Sequence, residues 1–177
     1  MRYLVALPLK ESESSEFITL RDKFKSMAPR WKITLGPHIT LYRPSEFKIS
    51  TDEAIKVFKK APVTKQFSTE FVGFDAFLNH SNNAVYSKPK EHKRFEEIKE
   101  LYLNIADKIL QDTADVWPYH PHLTLVNRLD TEPAKELLKK LKEEKFENKY
   151  TFDRVSLYKK EHNDKNWVEI ASNKLEK

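Results

Sequence analysis

The chain contains no cysteine and only two glycines. Without cysteine there is no disulfide framework, no thiolate-ligated zinc and no thiol nucleophile. Two glycines cannot build a phosphate-cradling loop of the P-loop or dinucleotide-binding kind, which excludes nucleoside-triphosphate chemistry of that sort. No apolar run approaches the roughly 20 residues that span a bilayer. The early run Leu4–Leu9 is too short for a signal-peptide core and lacks a small-residue cleavage site, so the expected compartment is the cytoplasm, with no membrane partner. What is present is 177 residues, 39% hydrophobic and 33% charged, enough for one domain or for two small lobes sharing a core. The balance of 32 basic against 27 acidic side chains gives a net charge of +5, a lean toward phosphate-bearing partners and not a polycation.

Hydrophobic periodicity places a buried strand at Arg2–Leu9 and a helix from Ser14 or Ser15 with Phe17, Leu20, Phe24 and Met27 inward. It places β-type chain at Ile33–Tyr42, a short helix at 51–60 capped by Thr51-Asp52-Glu53, and a strand at Gln66–Phe77. A turn at His80–Asn83 joins that strand to a second at Ala84–Lys88. The clearest helix is Glu91–Gln111, whose Phe95, Ile98, Tyr102, Ile105 and Ile109 form one apolar stripe. A strand at His122–Asn127 follows, then a helix capped by Thr131 with Leu137, Leu138 and Leu141 inward. Tyr150–Lys160 and Trp167–Ser172 read as a final hairpin. About seven strands and four helices with no linker predict an α+β fold with mainly antiparallel pairing, residues 1–177 forming one bilobal unit.

One repeat carries the chemistry. Pro37-His38-Ile39-Thr40-Leu41 and Pro121-His122-Leu123-Thr124-Leu125 differ only by Ile for Leu and lie 84 residues apart, near half the chain. On a strand successive side chains alternate faces, so His38 and Thr40 emerge together while Ile39 and Leu41 point the other way, and likewise in the second copy. Two related lobes would bring both polar faces to one cleft holding two imidazoles and two hydroxyls. That set suits phosphodiester chemistry: one imidazole accepts the nucleophile's proton, the other donates to the leaving oxygen, and threonine hydroxyls hold the non-bridging oxygens. β-propensity selects neither proline nor histidine, so a duplicated Pro-His-x-Thr points to function.

The paired His-x-Thr motifs resemble the two-histidine (2H) phosphoesterase superfamily, which includes 2′,5′ RNA ligase-like proteins and cyclic phosphodiesterases. The segments Pro37–Pro44, Asn82–Pro89 and Pro121–Leu129 are similar to those of small prokaryotic members. The resemblance implies two pseudo-symmetric lobes, each an antiparallel sheet with helices outside, around a central cleft. It implies His38 and His122 as catalytic residues and Thr40 and Thr124 as phosphate-binding ones. It also implies action without a cofactor or metal on RNA-type phosphodiesters, best guessed as hydrolysis of 2′,3′-cyclic phosphate ends, by a monomer. Hydrolysis of cyclic oligonucleotides or of a nucleotide-derived cyclic phosphate is the neighbouring alternative, and a non-catalytic RNA-binding module is the other.

Around the motifs, Arg43 and Arg128 are candidate phosphate clamps. On an ideal strand the odd offset puts Arg43 on the face opposite Thr40, whereas Arg128 has the right parity relative to Thr124. Tyr86, Tyr42 and Tyr119 are substrate-stacking candidates, with Trp31 and Trp117 beside them. His120-x-His122 is a metal-pair spacing that lacks a third ligand nearby, so no metal is expected. His80, His92 and His162 read as surface residues, and the Lys/Glu-rich stretch 135–149 as a solvated helix face.

Overall fold

A computed structural model describes residues 1–79, 82–114 and 118–177, so the expectations for His80, Ser81 and Trp117 lie outside the described residues. The described chain forms two four-stranded antiparallel sheets with four α-helices, the expected α+β class. The strands are β1 (Arg2–Pro8), β2 (His38–Ser45), β3 (Phe67–Phe77), β4 (Asn83–Pro89), β5 (Leu123–Leu129), β6 (Glu147–Phe152), β7 (Arg154–Lys160) and β8 (Val168–Lys174). The helices are α1 (Ser15–Phe24), α2 (Thr51–Phe58), α3 (Lys93–Ile109) and α4 (Thr131–Leu141). No helix among the described residues is long and apolar enough to cross a membrane.

The two sheets run β2-β1-β7-β8 and β5-β4-β3-β6. The orders superimpose as β1 on β4, β2 on β5, β7 on β3 and β8 on β6, which is the pseudo-symmetry the repeat implies. Two of the helices do not stay with their own half. α1 follows β1 but packs on β5 of the other sheet, and α3 follows β4 but packs on β2 and α2. One continuous apolar core therefore draws on both halves, from Tyr3, Val5 and Leu7 of β1 to Leu123 and Leu125 of β5. A central strand is covered on both faces, so β1 also sends Leu4 and Ala6 the other way, against Tyr158.

Three expectations need correction. The chain at 33–37 is irregular and β2 begins only at His38; it runs through Pro44, which an edge strand tolerates. The expected strand Tyr150–Lys160 is two strands in different sheets, broken at Asp153, because apolar alternation slips there from Tyr150 and Phe152 to Val155 and Leu157. The caps of α2 and α4 lie one residue earlier than expected, while α1 is capped at Ser14 as expected. Ser50 and Glu53 form a capping box on α2, and Asp130 occupies the cap position of α4. On α1, Arg21 takes a buried slot between Phe17 and Phe24, while Leu20 is only half-buried.

Candidate active site

β2 and β5, the strands carrying the repeat, are edge strands of their own sheets, and they meet. In each, the residues between the motif's polar positions are sealed in the core: Ile39, Leu41, Leu123 and Leu125 are at most 1% exposed. His38, Thr40, His122 and Thr124 are half-buried on the opposite face. A cavity of about 720 Å³ opens beside them, lined by Thr40, Arg43, Phe77, Tyr119, His122 and Thr124 among others; His38 is not part of its lining. Burial is the main opponent of protonation at His38, and a positive charge on His122 would oppose it further.

The two imidazoles are held alike. His38 Nδ1 is 2.8 Å from the Gly36 carbonyl, and His122 Nδ1 is 2.7 Å from the His120 carbonyl. A carbonyl only accepts, so Nδ1 carries the proton and Nε2 is the atom left for chemistry. The proline between partner and histidine explains its presence in both copies. An X-Pro bond keeps X extended, which turns the carbonyl of X back toward the ring two residues on. Burial lowers the pKa of both histidines below the ordinary 6.5; these hydrogen bonds oppose the shift, and nearby positive charge adds to it. Burial therefore favours the neutral form of both rings.

A β-bulge repeats along with the motif. Pairing of β1 with β2 slips between Val5↔Tyr42 and Ala6↔Thr40, and pairing of β4 with β5 slips between Val85↔Val126 and Tyr86↔Thr124. Each bulge places two consecutive residues, Leu41-Tyr42 and Leu125-Val126, in the core, so the following residue swings to the cleft side. This reverses the parity expected of the two arginines. Arg43 lines the cleft, held at its edge by an ion pair with Asp112. The matching cleft residue in the second copy is Asn127, which the sequence reasoning missed. Arg128 is turned out of the cleft with a left-handed backbone, φ 61°, its amide donating to the Asn127 side chain. Paired apolar residues after each threonine were the signal for the bulge.

The aromatic candidates separate. Tyr119 lines the cleft, and its hydroxyl donates to the Thr40 carbonyl at 3.1 Å, tying the approach to the second motif onto the first. Tyr86 is 3% exposed; it stacks on Phe77 at 4.3 Å and meets His122 edge-on, so it supports the imidazole from beneath. Burial and, secondarily, Asp75 push its hydroxyl up to about 12. Tyr42 is not in the cleft: it is core, with its hydroxyl on the Lys99 carbonyl at 2.5 Å. Trp31 lies in a neighbouring groove. His92 is half-buried, its ring 5.4 Å from that of His120, and is no simple surface residue. Among the described residues no three His, Asp or Glu side chains gather as a metal-ligand set.

Residues 9–164 match the sequence model of the 2′-5′ RNA ligase superfamily. No curated protein sequence matches. Among solved structures, E. coli LigT in apo form superimposes with a TM-score of 0.66 at 15% identity, covering 99% of this chain and 98% of its own. LigT is also known complexed with phosphate and with 3′-AMP. TT0787 of Thermus thermophilus gives 0.61 at 15% identity, covering 99% and 98% of the two chains. Kluyveromyces marxianus Usb1 gives 0.50 at 10% identity over 96% and 97%. At such identities the likeness is one of fold.

Proposed function

The chain belongs to the 2′-5′ RNA ligase superfamily, a family of two-histidine phosphoesterases, and from that premise we propose that it hydrolyses 2′,3′-cyclic phosphate ends of RNA without a metal. The observation that carries the reading is the matched pair of Nδ1–carbonyl hydrogen bonds, which leave Nε2 as the unengaged nitrogen of each motif's imidazole. The neutral imidazole takes a proton from water as the water oxygen bonds to phosphorus. The bond from phosphorus to the 2′ or 3′ oxygen breaks, and the imidazolium of the other motif protonates the departing oxygen. Which histidine serves first exchanges with reaction direction. Burial disfavours the charged form of both rings, and a bound phosphodiester anion would favour uptake of the one proton the reaction needs. Thr40 and Thr124 donate to the non-bridging oxygens from stiff β-branched side chains. Arg43 and Asn127 stand at matching places beside them, and Tyr119 lines the same cleft and would offer its ring to the base.

The test is hydrolysis of an oligonucleotide ending in a 2′,3′-cyclic phosphate by wild type, His38→Ala and His122→Ala with a chelator present. Each substitution is expected to lower kcat by about a hundredfold or more. Full activity in either variant, or loss of wild-type activity to the chelator, overturns the proposal.

A further inference from the structure

The catalytic cleft is not the end of the concavity. Asn127 lines the cleft, a cavity of about 630 Å³ beside it, and a third of about 920 Å³ beyond, so the three are contiguous. The bridging cavity is walled by Arg30, Asn82, Asn127 and Arg128. The outer groove is walled on one side by the 31–34 segment and on the other by the 160–167 turn between β7 and β8. These walls are tied together where the Trp167 amide donates to the Thr34 carbonyl at 2.9 Å.

Two properties of this groove bear on what it can hold. Its wall carries Arg2, Lys32, Arg128 and Lys165, none of which forms an ion pair among the described residues. Of the two carboxylates in the wall, Glu161 pairs with Lys159, while Asp164 accepts from the Glu161 amide and keeps its charge, so the wall is still net positive. Between the cations lie two half-buried indoles, Trp31 and Trp167. Unpaired cations interleaved with aromatic faces are the means by which single-stranded nucleic acid is held, phosphates on the charges and bases on the rings. The left-handed backbone at Arg128 serves this arrangement, because it takes the guanidinium out of the cleft and points it along the route between cleft and groove.

We infer that this groove binds the upstream nucleotides of a single-stranded RNA whose terminal phosphate occupies the His38–His122 cleft. The substrate is then an oligonucleotide end and not a free cyclic mononucleotide. The inference rests on the proposed reaction for the position of the terminal phosphate, and its binding test does not require turnover. The probes are a hexaribonucleotide and a mononucleotide, each ending in an unreactive 3′-phosphate, followed by tryptophan fluorescence. The hexanucleotide is expected to bind roughly tenfold or more tightly than the mononucleotide and to quench Trp31 and Trp167; the quenching disappears in Trp31→Phe/Trp167→Phe.

With four phosphates met, affinity for the hexanucleotide should fall about 50-fold between about 50 and about 200 mM salt. In Lys32→Ala/Lys165→Ala that fall should shrink to about 7-fold, and the advantage over the mononucleotide should shrink with it. Equal affinity for the two probes, or an advantage that survives the double substitution, overturns the inference. A hexanucleotide advantage that depends on these lysines, in a protein that turns over no cyclic phosphate, would uphold the groove and refute the reaction.

Discussion

The bond from Tyr119 to the Thr40 carbonyl offers a sharp test of how the two motifs are aligned. Tyr119→Phe keeps the ring and removes one neutral hydrogen bond of 3.1 Å. Its acceptor sits on an edge strand, where water can replace the hydroxyl, so the stability cost lies near the lower end of the usual 0.5–1.5 kcal/mol. For a chain of this size, about 1 kcal/mol corresponds to roughly 2–4 °C in Tm, and the melt should shift by no more than that. Activity should suffer more. The hydroxyl fixes the segment leading into His122 against the strand carrying Thr40, and small misplacements of reacting groups cost far more in rate than in stability. A fall in kcat of about tenfold is expected. Tyr42→Phe is the control, since it removes a hydroxyl bond of 2.5 Å to Lys99 in the core, away from the cleft. It should lower Tm at least as much and leave kcat near wild type. Thermal melts and hydrolysis of a cyclic-phosphate oligonucleotide, read side by side, decide the matter. Equal kcat in the two variants would refute the idea that the hydroxyl aligns the motifs.

Two further outcomes follow from charge. Burial holds His38, His120 and His122 below their ordinary pKa of 6.5, so the unfolded chain takes up protons there while the folded chain does not. Their contribution to stability is therefore complete above 6.5 and is lost as pH falls from that value through the lowered folded pKa values. Tm should decline across that range, and inorganic phosphate should restore it more strongly at acid than at alkaline pH; a Tm flat across the range, or equal rescue at both ends, would contradict this. Arg21 is 7% exposed with its Nε unpartnered, and its charge opposes protonation of His38. Arg21→Met should raise the His38 pKa in an NMR titration and leave Tm unchanged or higher; a His38 pKa that stays put would show that the guanidinium field does not reach the cleft.

The faces of the two motif strands were legible because alternation is a local property. A histidine and a threonine two apart, with aliphatics between them, leave little choice of side when one face is sealed. The long stripe of α3 was legible for the same reason, at helical period. What escaped was either a one-residue irregularity or a long-range choice. The bulges that send Arg43 and Asn127 inward and Arg128 outward depend on a partner strand. So does the break at Asp153, although the slip from Phe152 to Val155 was written in the apolar pattern. The hydrogen bond of Tyr119 to Thr40 spans 79 positions and has no local signature at all. Nor does the burial of Arg21, since helical spacing offers the slot without naming its occupant.

The exchange of α1 and α3 between the halves has a bearing on how this molecule came to be and how it works. Each half leaves one side of its outermost motif strand to be covered by a helix that belongs to the other, so neither half is complete when severed. A polypeptide of one half alone would regain its missing cover only from a second copy, and such fragments should therefore dimerise by trading helices. In the intact chain the same interlock makes the gap between the two imidazoles a fixed dimension of the scaffold. The proposed RNA end would then enter from the open side of the cleft.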